Sequence, residues 1–129
     1  NNPQKVAEQY ASAIKQYPQN RSLVYGYADH FLALKQTKEM INLVKAKQSL
    51  YPNDAHLYEL LAKAYFVEHK DLLRFQAQGE AYFQQYNVDK AVEQMTFASK
   101  ATDGSFYEKS IVEARLKDLQ RLQKLRKPD

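Results

Sequence analysis

The sequence predicts an all-α protein, an α-solenoid of about seven antiparallel helices that ends in a long capping helix. Only 3 Gly and 4 Pro interrupt the 129 residues, and residues that favour helices are abundant. Apolar residues recur at three- and four-residue spacing, and no stretch alternates long enough to be a strand. Turn signals leave only short connections between these segments, and short connections make neighbouring helices antiparallel. A single domain over residues 1–129 is expected at this length.

The first three predicted helices are bounded by prolines. Pro3 suits the first turn of a helix, and Pro18 marks its end. Thr37 is a good N-cap for the third helix, and Pro52 ends that helix. The seven predicted helices span about 3–17, 21–34, 37–51, 54–69, 72–86, 88–101 and 106–127.

Acidic side chains and a glycine bound the last four helices. Asp54 or Asn53 is expected to cap the fourth helix, and Asp71 the fifth. Gly104, in the loop TDGS, suits a helix exit before the seventh helix. This last helix is the longest, and the early part of its apolar stripe is expected to cover the open end of the stack.

Charge and composition restrict the classes of function. The net charge is +4 and the pI about 9.2, and residues 105–129 hold seven Lys or Arg against four Asp or Glu. We interpret this charge as a solvated helix face and expect no nucleic-acid partner. No apolar run is long enough to span a membrane. The absence of Cys leaves both periplasm and cytoplasm open, and the start NNPQKVAEQ, without Met or a signal peptide, indicates part of a longer chain.

A 34-residue period runs through the first half of the chain. Pro18 and Pro52 are separated by this period, and each follows a tyrosine. Segments such as LVYGYADHFL and LYELLAKAYF place small residues between large ones, which allows close helix contact. In these features the chain resembles the tetratricopeptide repeat, a 34-residue helix–turn–helix unit. The resemblance implies stacked helix pairs with a concave face lined by the first helix of each pair.

The repeat shortens at RFQAQGEAYF, residues 74–83. A second helix should carry a small residue at position 74, but Arg74 stands there. The segment instead has first-helix character, with Gly79 at the close-contact point. We therefore predict that helix 72–86 packs against both 54–69 and 88–101. Ordinary degenerate helix packing with chance similarity remains the alternative interpretation.

Three motifs give a more specific resemblance. PNDAHLYELLAKAY, GEAYFQQYNVDKAVEQ and IVEARLKDL occur in the order and spacing seen at the end of bacterial periplasmic zinc metallopeptidases of the β-barrel assembly-enhancing type. The resemblance implies a non-catalytic C-terminal repeat domain in the periplasm, involved in outer-membrane protein assembly and quality control. It implies protein or unfolded-polypeptide partners, among them the outer-membrane assembly machinery and the parent's own peptidase domain. A free-standing scaffold or adaptor without an attached enzyme is the alternative.

The chain itself carries no catalytic zinc motif. His-Glu-x-x-His supplies two metal ligands and a general base in such peptidases. The histidines here, His30, His56 and His69, do not have this spacing, so we expect no enzyme activity, cofactor or metal site in this chain. By the resemblance, zinc belongs to a peptidase domain that precedes it.

The repeat phase predicts which side chains line the concave groove. We expect Tyr25, Phe66 and Phe83 to be exposed anchors for a protein partner, although they could instead pack between units. A set of Lys, Asn and Arg that clamps a terminal carboxylate is missing from this face. The predicted groove is mixed aromatic and acidic, which suits an unfolded β-barrel protein or an assembly partner. The ten predicted groove residues are Tyr25, Asp29, Leu32, His56, Glu59, Lys63, Phe66, Gln76, Glu80 and Phe83.

A second candidate surface lies near the chain end. Leu122 and Leu125 continue the apolar stripe of the last helix past the expected reach of a partner helix, and Arg121 and Lys124 flank them. This segment could dock a partner, the peptidase domain or another copy of the chain. A frayed basic tail is the alternative.

Overall fold

The computed structural model describes residues 2–126, and within them the chain is all-helical, as the sequence predicts. The helix bounds lie within three residues of the predicted ones, and the predicted end at 127 lies outside the described residues. The seven helices are α1 (Pro3–Gln16), α2 (Arg21–Ala33), α3 (Thr37–Gln48), α4 (Ala55–Val67), α5 (Asp71–Gln84), α6 (Val88–Lys100) and α7 (Phe106–Arg126).

The helices stack in chain order, which is the arrangement expected of an α-solenoid. Each helix packs against the next one along the chain. In addition, α2 packs against α4, and α5 against α7, whereas α2 and α5 do not contact each other. Val112 and Leu119 of the long helix α7 are fully buried against α6 and its neighbours. The expectation that the early part of α7 caps the stack is therefore confirmed.

Helix α5 belongs to two cores, because its opposite faces pack against different neighbours. Ala77 joins the apolar core formed by α2, α3 and α4, whereas Leu72 joins the core shared with α6 and α7. Gly79 lies against α6, where an added Cβ would come 3.0 Å from Met95 Cε and 3.3 Å from the Ala91 carbonyl oxygen. The prediction that this helix serves both neighbours, with Gly79 at a close contact, is confirmed.

Three connecting turns share one backbone geometry. Lys35, His69 and Tyr86 have positive φ angles of 59°, 58° and 63°. In each turn the N–H groups of this residue and the next one donate to carbonyls in the last turn of the preceding helix. The three positions are 34 and then 17 residues apart. Helix α5 thus ends in the same turn as α2 and α4, half a period early.

The caps of two helices differ from the prediction. Asp54 does cap α4, since its carboxylate accepts from the His56 N–H at 2.9 Å. Thr37 is instead the first residue of α3, after the N-cap position, and its hydroxyl donates to Glu68 Oε2 at 2.8 Å. Asp71 likewise lies one residue inside α5, so its carboxylate does not cap the helix.

The loop before α7 supplies the side-chain cap that the start of α5 lacks. The carboxylate of Asp103 accepts from the N–H groups of Asp71 at 2.8 Å and Leu72 at 3.0 Å. Gly104 follows with a φ of 93°, and an added Cβ there would lie 2.6 Å from Leu72 Cδ1. Gly104 lies beyond the end of α6. Because it has no side chain, the loop can approach α5 closely.

Candidate functional site

A cavity of 650 Å³ opens where α2 and α5 both pack against α4 without touching each other. Helix α4 forms its floor, and the other two helices form its walls. Apolar side chains predominate on the floor, and Phe66 is 63% exposed there. The size lies within the usual range for ligand pockets. The side chains around this α2–α4–α5 cavity are Leu32, Ala33, Lys35, Glu59, Ala62, Lys63, Phe66, Val67, Arg74 and Gln78.

Four of the predicted groove residues meet in this cavity, namely Leu32, Glu59, Lys63 and Phe66. They come together because positions four and seven residues apart share one face of α4, and α2 runs beside that face. Asp29 is exposed on α2, and Gln76 is half-buried on α5. Neither Asp29 nor Gln76 lines the cavity.

The lining of the cavity is basic, whereas the sequence predicted a groove of mixed aromatic and acidic character. Lys35, Lys63 and Arg74 line it together with a single carboxylate, Glu59. That carboxylate accepts from Gln85 Nε2 at 3.3 Å and lies 3.3 Å from His56 Nδ1. The repeat phase missed two of the cations, because Lys35 lies in a turn and Arg74 occupies a position normally held by a small residue.

Arg74 is fixed by aromatic rings. Its guanidinium lies 4.0 Å from the centre of the Phe75 ring and 5.3 Å from that of Phe66. Its Nη2 lies 3.5 Å from Asp71 Oδ1. Its Nε is buried without a hydrogen-bond partner in the structure. The irregular residue that marked the loss of the repeat period is therefore part of the cavity wall.

Tyr25 is not an exposed anchor, so that prediction is wrong. Its hydroxyl donates to the Asp54 carboxylate, and its ring centre lies 4.2 Å from that of His56. Arg21 Nη1 also lies 3.2 Å from Asp54, and its guanidinium is 4.4 Å from the Tyr51 ring. This network joins the starts of α2 and α4, which gives Tyr25 and His56 a structural role.

The same network shifts two pKa values. Burial, followed by the hydrogen bond to Asp54, raises the pKa of Tyr25 from 10.0 to about 12. Burial alone would raise the pKa of Asp54. Hydrogen bonds from Tyr25, the His56 N–H and Arg21 outweigh this effect and lower the pKa below 3.8.

Phe83 and Glu80 are engaged by α7, so Phe83 is not an exposed anchor either. Arg115 donates to Glu80 through Nε at 2.8 Å and Nη2 at 2.9 Å. Its guanidinium lies 4.6 Å from the centre of the Phe83 ring. The hydrogen bonds to Glu80 raise the pKa of Arg115. The sequence indicated that α7 caps the stack, but it gave no sign that Arg115 contacts Glu80 and Phe83.

The second candidate surface lies on the exposed side of α7. Leu122 is 37% exposed and Leu125 79% exposed, and Lys124 is exposed beside them. Arg121 Nη1 lies 3.1 Å from Asp118 Oδ1 on the same helix. The structure therefore places all four predicted docking residues at the surface, and their role in docking stays a prediction.

Among residues 2–126, no three His, Cys, Asp or Glu side chains are grouped so that they could hold a metal ion. His30 Nε2 lies 3.2 Å from the Pro3 carbonyl oxygen, His56 packs on Tyr25, and His69 forms the turn before α5. None of the described helices is long and apolar enough to cross a bilayer.

No protein-family model matches this chain, and none of the curated proteins matches it either.

Proposed function

We propose that this chain is a protein-interaction module that binds an extended segment of a partner polypeptide in the α2–α4–α5 cavity. The observation that carries the proposal is the exposure of Phe66 on the cavity floor. An aromatic side chain left open in a concave site is typical of an interface anchor, because covering it removes a large apolar area from water.

The sequence resemblance supports a more specific proposal. The chain is a tetratricopeptide-type domain at the C-terminus of a periplasmic zinc metallopeptidase that acts in outer-membrane protein assembly and quality control. It contributes binding rather than catalysis. Its partners are unfolded polypeptides, the assembly machinery and the parent's own peptidase domain. The three motifs named above carry this step, and the cavity gives the module a place to hold a polypeptide.

Substitution of Phe66 tests the binding site. A labelled outer-membrane β-barrel protein, unfolded in urea and diluted into buffer, serves as the probe in a fluorescence anisotropy titration. Loss of a central aromatic anchor typically costs ~2 kcal/mol of binding free energy, so Phe66→Ala should weaken binding about thirtyfold. Phe106, which is 88% exposed at the start of α7, provides the matched control.

We expect Phe106→Ala to leave the affinity unchanged, with far-ultraviolet circular dichroism verifying that both variants fold. Equal affinities for the two variants would place the binding surface outside the cavity. The attached enzyme is tested separately, by reading the gene upstream of residue 1. An upstream segment without His-Glu-x-x-His would support the free-standing scaffold instead.

A further inference from the structure

The cations of the cavity come from three segments of the chain. Lys35 lies in the turn after α2, Lys63 on α4 and Arg74 on α5. Neither lysine forms an ion pair among the described residues, and both are exposed. The one carboxylate among the described lining residues, Glu59, already has two partners. The cavity therefore presents an excess of positive charge around an apolar floor.

Arg74 adds a directional element to this charge. The Phe75 and Phe66 rings hold its guanidinium, which reduces the entropy lost when it binds an acceptor. Its ion pair with Asp71 is a single contact of 3.5 Å, so the guanidinium keeps further N–H donors for an acceptor. A carboxylate that reaches these donors forms charge-assisted hydrogen bonds, which are stronger than hydrogen bonds between neutral groups.

We propose that the occupant of the cavity is an acidic segment of a partner protein with a large apolar side chain between its carboxylates. This inference rests on the proposed function and specifies its ligand. The apolar side chain covers Phe66 and Leu32, while the flanking carboxylates reach Arg74 and the two lysines. A segment with several carboxylates matches the cations that three segments of the chain bring to the cavity, whereas a single chain-terminal carboxylate would leave some of them unpaired.

Three short labelled peptides test the charge preference in anisotropy titrations. All contain one phenylalanine, flanked on both sides by glutamate, by glutamine or by lysine. At physiological salt the glutamate peptide should bind about tenfold tighter than the glutamine peptide, because opposite charges line the site. The lysine peptide should bind weakest. Raising the salt concentration should reduce the difference between the glutamate and glutamine peptides, since partly exposed charges are screened.

Charge reversal locates the effect. Lys63→Glu should weaken binding of the glutamate peptide about tenfold. Lys45→Glu, at an exposed position of α3 outside the cavity, changes the net charge equally and should leave binding unchanged. Lys35→Glu repeats the test in the turn after α2, and circular dichroism verifies folding of each variant.

The outcomes separate this inference from the proposed function. Equal affinity for the glutamate and glutamine peptides, with both sensitive to Phe66→Ala, would overturn the acidic ligand and keep the peptide site. Equal losses in Lys63→Glu and Lys45→Glu would also overturn it, since attraction would then follow net charge alone. If all three peptides fail while the unfolded β-barrel protein still binds through Phe66, the acidic segment is likewise wrong.

Discussion

The ion pair between Arg115 and Glu80 should hold α7 across α5, and a double-mutant cycle can measure it. Arg115→Gln and Glu80→Gln each remove the ion pair while keeping most of the side chain. Two unit charges ~4 Å apart attract by ~4 kcal/mol at an effective dielectric constant of ~20. Side-chain ordering and desolvation offset much of this, and fully exposed pairs retain only ~0.2–1 kcal/mol.

The geometry of this ion pair indicates a larger coupling free energy than that of fully exposed pairs. Both hydrogen bonds are shorter than 3 Å, and the side chains are only 28% and 19% exposed. We therefore expect a coupling free energy of about 1.5 kcal/mol. Urea unfolding followed by circular dichroism gives the free energy of unfolding for the parent chain, the two single variants and the double variant. High salt should lower the coupling only in part, since the pair is partly buried.

The pair between Arg121 and Asp118 is the matched control. It lies within α7, and its side chains are 71% and 56% exposed, so its coupling should be only ~0.3 kcal/mol. A coupling for Arg115 and Glu80 as small as that of the control would refute the reasoning. The ion pair would then contribute little to holding α7 across α5.

Three further predictions concern the fold. Gly104→Ala should lower the free energy of unfolding by ~2–4 kcal/mol, because its φ is 93° and the new Cβ would meet Leu72; an unchanged urea midpoint would contradict this. His69→Gly should stabilise the chain by ~0.5–1 kcal/mol, since glycine adopts a positive φ without strain; a lower melting temperature would show the reverse. Stability should fall as pH rises from 10.0 through about 12, because folding raises the pKa of Tyr25. Stability should also fall as pH drops below 3.8, because folding lowers the pKa of Asp54. Tyr25→Phe should reduce the alkaline component, to which the raised pKa of Tyr58 also contributes, and Asp54→Asn should reduce the acid component in urea titrations against pH. Unchanged pH profiles would argue against the network.

Hydrophobic spacing predicted the helices because each one buries a single face against its neighbours. The half-period shift was also visible in the sequence. Arg74 is large where a second helix would carry a small residue, and Gly79 lies at the close-contact point of a first helix. The turns were harder to predict. Lys35, His69 and Tyr86 occupy positions that favour glycine, so no glycine marked the positive φ angles.

The candidate site was predicted only where one helix face decides the outcome. Lys63 and Phe66 share a face of α4, and the repeat phase was sufficient to place them in the cavity. Tyr25 and Phe83 were misplaced because their partners are distant in sequence. Asp54 accepts a hydrogen bond from Tyr25, and the guanidinium of Arg115 lies over the Phe83 ring. Periodicity within a helix contains no information on such pairings.

The most direct test of the account is a nuclear magnetic resonance titration of the isotope-labelled chain with the glutamate-flanked phenylalanine peptide. We predict that amide chemical-shift changes concentrate around the α2–α4–α5 cavity, at Leu32, Lys63, Phe66 and Gln78. Changes concentrated instead around Leu122 and Leu125 on α7, with the cavity residues unaffected, would contradict the assignment of the cavity as the binding site.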